Sequence, residues 1–178
     1  MTFTRVARIP CVGLLVWISA GVWAQTSGAP ARSNEVYSAR VTRVVDGDTL
    51  WVQPLSDDRL RKLRLDGLDA PEICQDGGAA SRDALQARVL EQVVVVRERR
   101  LDDFGRPLAR LEHAGDDVGA VMVRQGMAWS YRWRRGQGPY ARQEAQARIE
   151  RQGIFGVTDP ENPRDFRRRH GPCPFPPR

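Results

Sequence analysis

Between residues 36 and 65, apolar and β-branched residues recur in three short runs separated by two turn signals, which commits this stretch to an antiparallel sheet. Residues 36–45 alternate in part, with Val41, Val44 and Val45 set against Arg40, Thr42 and Arg43. Asp46-Gly47, the dipeptide type that most strongly signals a tight hairpin, ends the first run, and the apolar pattern resumes over 49–53. A second turn at Ser56-Asp57-Asp58 leads into a third strand over 60–65.

Downstream the period changes. Ala84, Leu85, Val89 and Leu90 fall at helical spacing over 79–91, with Arg82, Asp83, Gln86 and Arg88 between them. Residues 93–96 are a continuous β-branched run, followed by a turn over 102–105 and another strand over 108–111. A helix over 118–125 ends at Gly126, and a last one over 141–152 ends at Gly153. Strands, one inserted helix, two more strands and then helices predict an α+β domain, a five-stranded barrel of the oligonucleotide-binding (OB) type with about three α-helices.

The 178 residues suffice for one such domain and its flanks, with 1–24 read as a signal peptide, 25–35 as a flexible lead-in and 158–178 as a Pro/Arg-rich tail that is not regular throughout. Arg5 and Arg8 precede an apolar run over 11–22 that closes on small residues suited to cleavage after Ala24. That run is shorter than the roughly 20 residues that span a bilayer, so stable membrane insertion is not expected. Export places the protein in the periplasm or the medium. Removal of the segment leaves 26 basic against 22 acidic residues, a net charge of +4, carried almost wholly by arginine, with Lys62 the single lysine. A polyanionic partner suits that balance. Cys11 leaves with the segment, and Cys74 and Cys173 then remain in an oxidising compartment, where a bridge between them is expected; two free or separately partnered thiols are the alternative.

Three short clusters carry the chemistry: Asp46-Gly47-Asp48-Thr49, then Arg64 with Asp69-Ala70-Pro71-Glu72, then Gly105-Arg106. Acidic oxygens hold a hard cation, and guanidinium forks neutralise a phosphate, which together is what phosphodiester hydrolysis requires. Each cluster also has a plain reading. The first is a hairpin turn, the second a helix start with Asp69 as N-cap and Glu72 completing a capping box, and the last an ordinary turn. His113 and His170 are too few and too scattered for a histidine mechanism or a zinc site.

The joint order of the clusters decides between the two. VVDGDTLWV, RLDGLDAPE, DDFGRPLARL, VMVRQGMAWSYRW and EAQARIERQGIF, spread over residues 38–155, resemble the staphylococcal nuclease (thermonuclease) family. The resemblance implies a nuclease domain over 36–157, probed by four groups of residues. Asp48 and Asp69 would coordinate a catalytic Ca²⁺ with the Ala70 carbonyl as a further ligand, and Asp46 and Thr49 would support that shell. Glu72 would activate the attacking water, and Arg64 and Arg106 would grip the phosphate. DNA and/or RNA would be cleaved with loss of the 5′ oxygen, leaving 3′-phosphate ends, by an enzyme expected to be monomeric.

Departures from the family pattern matter as well. Asp103-Phe104 stands where a basic and tyrosine pair is usual, which removes a hydroxyl contact to a terminal phosphate and leaves Phe104 as a stacking ring. Tyr131 matches an aromatic of the nucleotide pocket and Trp133 stands where a second would be, with simple packing as the alternative for both. A shorter segment after Glu72 predicts a cleft more open to long polymers. The rival class is a catalytically silent OB-type module that binds single-stranded nucleic acid. The completeness of the set Asp48, Arg64, Glu72 and Arg106 argues against it.

Overall fold

The alternation of the first strands is realised as a closed barrel. The computed structural model describes residues 1–2, 34–131 and 136–174. The expected cleavage site, most of the lead-in and Trp133 lie outside the described residues. Three strands come first: β1 (Val36–Val44), β2 (Thr49–Pro54) and β3 (Arg61–Leu65). A two-residue strand β4 (Leu68–Asp69) and helix α1 (Gly78–Val89) follow, then β5 (Val93–Leu101), β6 (Pro107–His113) and the short β7 (Asp116–Asp117). The chain continues through α2 (Val118–Arg124), β8 (Trp129–Ser130), α3 (Ala141–Ile149), a 3₁₀ turn (Gly153–Gly156) and α4 (Pro163–His170).

Antiparallel pairing runs β3-β2-β1-β5-β6, and a parallel pairing of β3 with β6, Arg64 opposite Leu108 and Leu65 opposite Ala109, closes the ring. Closure needs strong bending, supplied by register shifts between Val41 and Arg43 in β1 and between Glu98 and Arg100 in β5. The interior is filled by alternate residues, among them Val41, Leu50, Val52, Leu63, Leu65, Val96 and Leu111, with Leu85 and Val89 of α1 and Met122 of α2 packed against them. Period-2 alternation then turns Arg64 outward between Leu63 and Leu65, at the end of the barrel where β3 meets β6.

Most expected elements are present, with instructive differences. β5 runs to Leu101, well beyond 96, because pairing to β6 carries its polar half, Arg97 to Arg100, as sheet after the β1 ladder ends at Arg97. Asp69 is not a helix cap: it pairs with Trp129 in the β4–β8 ladder, and α1 begins only after Gly77. Gly126 ends α2 with φ +67°, where a Cβ would lie 2.0 Å from the Gln152 carbonyl oxygen, so both backbone conformation and close approach demand glycine.

The tail contributes a fourth helix. Asn162 caps α4 by accepting the Arg164 N–H at 3.0 Å, Pro163 sits in its first turn, and Gly171 with φ +73° ends it. Eight residues are too few to hold a helix in water alone. The Cys74–Cys173 disulfide, with Cα atoms 5.7 Å apart, supplies an anchor, and the Cys74 N–H also points at Cys173 Sγ, 3.1 Å away. The bridge spans 99 positions. Reduction is expected to cost about 4–5 kcal/mol of unfolding free energy in the chain-entropy account of so long a loop. Urea titration with and without reductant checks this, with a lower midpoint and a steeper slope as the expected outcome.

Candidate active site at the barrel rim

The two acidic clusters meet because a glycine lets them. A Cβ on Gly47 would lie 1.9 Å from Ser81 Oγ and 2.7 Å from Ala70 Cβ, so only glycine allows the 46–49 turn to pack onto both α1 and the segment after β4. Ser81, fully buried, donates to the Met127 carbonyl at 2.6 Å and holds α1 in that position. The Leu65 N–H donates to the Asp48 carbonyl at 2.7 Å, which ties the same turn to β3.

Asp48 and Asp69 are each only 3% exposed. Asp48 Oδ1 accepts the Thr49 hydroxyl at 2.9 Å and Oδ2 accepts the Ala70 N–H at 3.0 Å. Arg64 Nη2 bridges the pair, 3.0 Å from Asp48 Oδ2 and 2.7 Å from Asp69 Oδ1. Among the described residues Arg64 Nε and Nη1 make no hydrogen bond, so one edge of its fork is left for another acceptor. Asp46 lies beside the pair, its Oδ1 accepting the Asp48 N–H at 3.0 Å.

This crowding shows in the titration of the groups. Burial first, and then the charge of Asp48, push the Asp46 carboxyl from 3.8 up to about 7. Burial also raises Asp69, with the Arg167 hydrogen bond opposing it and Asp48 adding to it. Burial works against the charge of Arg64, but Asp48 and Asp69 outweigh it and hold the guanidinium above its usual value.

Glu72 follows on the same segment. Its N–H donates to Gln75 Oε1 at 3.1 Å, and its Oε1 accepts Arg167 Nη1 at 2.7 Å. Arg167 also bonds Asp69, Nη1 to Oδ1 at 3.2 Å and Nη2 to Oδ2 at 3.0 Å. The tail helix therefore covers the ground beside Glu72, and the open cleft expected there is not what the structure shows. Sequence reasoning missed Arg167. The signal available was the position of Cys74 just after Glu72 and of Cys173 just after the tail arginines.

Arg106 stands apart from the acidic pair. Asp102 holds it, accepting its N–H at 2.8 Å and its Nε at 2.7 Å, and accepting the Phe104 N–H at 2.9 Å as well. Its terminal nitrogens make no hydrogen bond among the described residues. Phe104 is 84% exposed at the tip of this turn, with the Arg106 guanidinium 5.4 Å from its ring centre. Tyr131, also exposed, lines two clefts. One, of about 640 Å³, includes Asp66, Arg99 and Arg110; the other, of about 450 Å³, includes Asp69, Ser130 and Arg164.

The donor chemistry of the rim suits a hard cation. Two carboxylates converge on a single Arg64 nitrogen, and every donor is oxygen. No group of three or more His, Cys, Asp or Glu side chains forms a cage among the described residues, so a bound cation would draw on the Ala70 carbonyl and water to complete its shell.

Fold and site together define an OB-type barrel protein with an acidic, arginine-clamped rim. Residues 62–156 match the family described as Staphylococcal nuclease homologue. A micrococcal nuclease of Shigella flexneri is 30% identical over 172 residues, covering 90% of this chain and 91% of the relative. Protein ParB of Escherichia coli is 33% identical, over 85% of this chain and 84% of its own length, and an uncharacterized endonuclease of Haemophilus influenzae is 30% identical over 78% of each. The chain belongs to the staphylococcal nuclease family.

Asp46 generates a pH prediction. With its folded value raised, the folded state keeps a proton that the unfolded chain loses between about pH 4 and 7, so stability falls as pH rises through that window. Metal-free Asp46→Asn keeps an acceptor for the Asp48 N–H and removes the buried charge. It is expected to exceed wild type in stability at pH 8 by on the order of 2–4 kcal/mol, with the difference shrinking towards zero near pH 4. Urea unfolding in chelator at both pH values checks this.

Proposed function

We propose that this protein is an exported nuclease that hydrolyses DNA and/or RNA with Ca²⁺, by attack of water on phosphorus, leaving 3′-phosphate ends. Family membership supports a nuclease acting on nucleic acid. The observation that carries the finer reading is the Arg64 nitrogen shared by Asp48 and Asp69, with Glu72 on the same segment.

Asp48, Asp69 and the Ala70 carbonyl would hold Ca²⁺, which would supply the charge that polarises a phosphoryl oxygen. Asp46 and Thr49 orient the Asp48 loop through their own hydrogen bonds. Glu72 receives the proton of the attacking water as the new P–O bond forms and the bond to the 5′ oxygen breaks. The unpaired edge of Arg64 and the terminal nitrogens of Arg106 take the equatorial oxygens, where charge grows in the transition state, a contribution of about 3–4 kcal/mol per well-placed donor. Phe104 and Tyr131 offer exposed rings for base stacking, a role Trp133 would share. No helix among the described residues is long and apolar enough to cross a membrane, and the disulfide accords with an exported protein.

Mature protein is expected to cleave DNA or RNA in Ca²⁺ and to stop in excess chelator. Asp48→Ala and Asp69→Ala should each abolish cleavage together with Ca²⁺ binding, read by calorimetry. Full cleavage in chelator overturns the metal assignment. Arg106→Lys removes the planar fork and is expected to lower turnover by about 100-fold or more. A near-normal rate would make Arg106 a structural turn residue held by Asp102.

A further inference from the structure

The tail segment 161–173 is pinned at both ends to adjacent residues. Gln75, only 7% exposed, donates from Nε2 to the Glu161 carbonyl at 2.7 Å, and Cys74 holds Cys173 through the disulfide. Arg169 pairs with Glu161 and tightens the first of these ends. The strap therefore closes on the two positions that follow Glu72 by two and three residues, and the helix it carries brings Arg167 into contact with Asp69 and Glu72. One anchor would leave α4 free to pivot; two anchors fix it.

The contacts Arg167 makes are divided in an informative way. Its fork takes both oxygens of Asp69 but only Oε1 of Glu72. Among the described residues Glu72 Oε2 accepts no hydrogen bond, and the Glu72 side chain is 23% exposed. A carboxylate locked through one oxygen, with the other turned free, is in the state required of a group that must hold and deprotonate water. Among the described residues no other side chain bonds the Glu72 carboxylate, so without Arg167 it is held only through its backbone.

We propose that Arg167 is a positioning residue for the hydrolytic reaction: delivered by the disulfide-pinned tail, it fixes the Glu72 carboxylate relative to Asp69 so that the free oxygen faces the attacking water. This rests on the nuclease reading above and adds a residue to it from outside the segment matched to the family, which ends at 156. The guanidinium does so at a cost to metal affinity, since it places a positive charge against Asp69.

The two effects have opposite signs, and that makes the test sharp. Arg167→Met in the full oxidised chain is expected to bind Ca²⁺ several-fold more tightly by calorimetry, without substrate, because a neighbouring positive charge is gone. On a long DNA substrate its kcat is expected to fall by about 100-fold with KM nearly unchanged, the scale of a misplaced reacting group. Arg167→Lys, a point charge lacking the fork, should recover part of kcat. Arg168→Ala, whose side chain is 75% exposed and pairs with Asp165, should behave as wild type. The double variant Cys74→Ser/Cys173→Ser loosens the strap without touching Arg167, and is expected to show a smaller loss of kcat that Arg167→Met no longer adds to in full. Near-UV circular dichroism establishes that each variant is folded, and if Arg167→Met is not, the lysine and cysteine variants carry the same comparison.

Three results overturn the assignment. A rise in kcat/KM for Arg167→Met makes the strap an inhibitor. A rise in KM with kcat intact makes Arg167 a phosphate ligand. A lower melting temperature with both constants intact makes it structural. Failure of wild type to bind Ca²⁺ or to cleave nucleic acid overturns the nuclease mechanism instead, and is read before any variant is compared.

Discussion

Two carboxylates, each nearly sealed from water, share the space around one guanidinium nitrogen, and most of the architecture near the rim answers to that crowding. Unit charges about 4 Å apart repel by roughly 4 kcal/mol at the effective dielectric of a protein edge. Removing one partner of a buried ion pair costs about 3–5 kcal/mol, because the other is left uncompensated. Apolar packing cannot hold Asp48 beside Asp69 without Arg64. Arg64 in turn reaches them only because β3 pairs with β6 and sets it at the closed end of the barrel. Gly47 permits the approach, and the Ala70 N–H and Thr49 hydroxyl take up the oxygen lone pairs that Arg64 does not.

Asp46, Glu72 and the tail's Arg167 extend the Asp48–Arg64–Asp69 cluster along the rim. Burial first, and then the charge of Asp48, raise the Asp46 carboxyl, and the tail supplies a further cation in Arg167. A structural ion-pair cluster would approach neutrality with its own side chains. Here three aspartates and a glutamate lie with two arginines, so the carboxyl groups outnumber the guanidinium groups.

Much of this was legible in the chain because it is local. Alternation sets β1 to β3, and the order of acidic turn, arginine strand and second acidic turn places Asp48, Arg64, Asp69 and Glu72 in one neighbourhood. The pairing of Cys74 with Cys173 follows from parity and compartment. What was not legible depends on partners distant in sequence. Asp69-Ala70-Pro71-Glu72 carries every local mark of a helix start, but a two-residue ladder with β8 claims Asp69 first. Arg106 reads in sequence as a phosphate-gripping arginine on its own Gly-Arg turn, and what the sequence did not show is that Asp102, four residues back, holds its guanidinium. Arg167 sits in a Pro/Arg-rich stretch whose composition reads as irregular, and only the anchors at Glu161 and Cys173 turn eight of those residues into a helix that points somewhere.

The parallel pairing of β3 with β6 has a kinetic side. Its two strands are separated by the short β4, a helix and β5, so the ring cannot shut until the β5–β6 hairpin has formed, and the entropy of that long closure must be met before its contacts stabilise anything. The first three strands can zip as neighbours while Arg64 still lacks its final surroundings. The strap closes a longer loop still, since Cys173 and Cys74 lie 99 positions apart. Residues that act together in the finished molecule thus depend on contacts of very different range, a local hairpin for Arg64 and Asp48, a ring closure for the rim, and a bridge across 99 positions for Arg167.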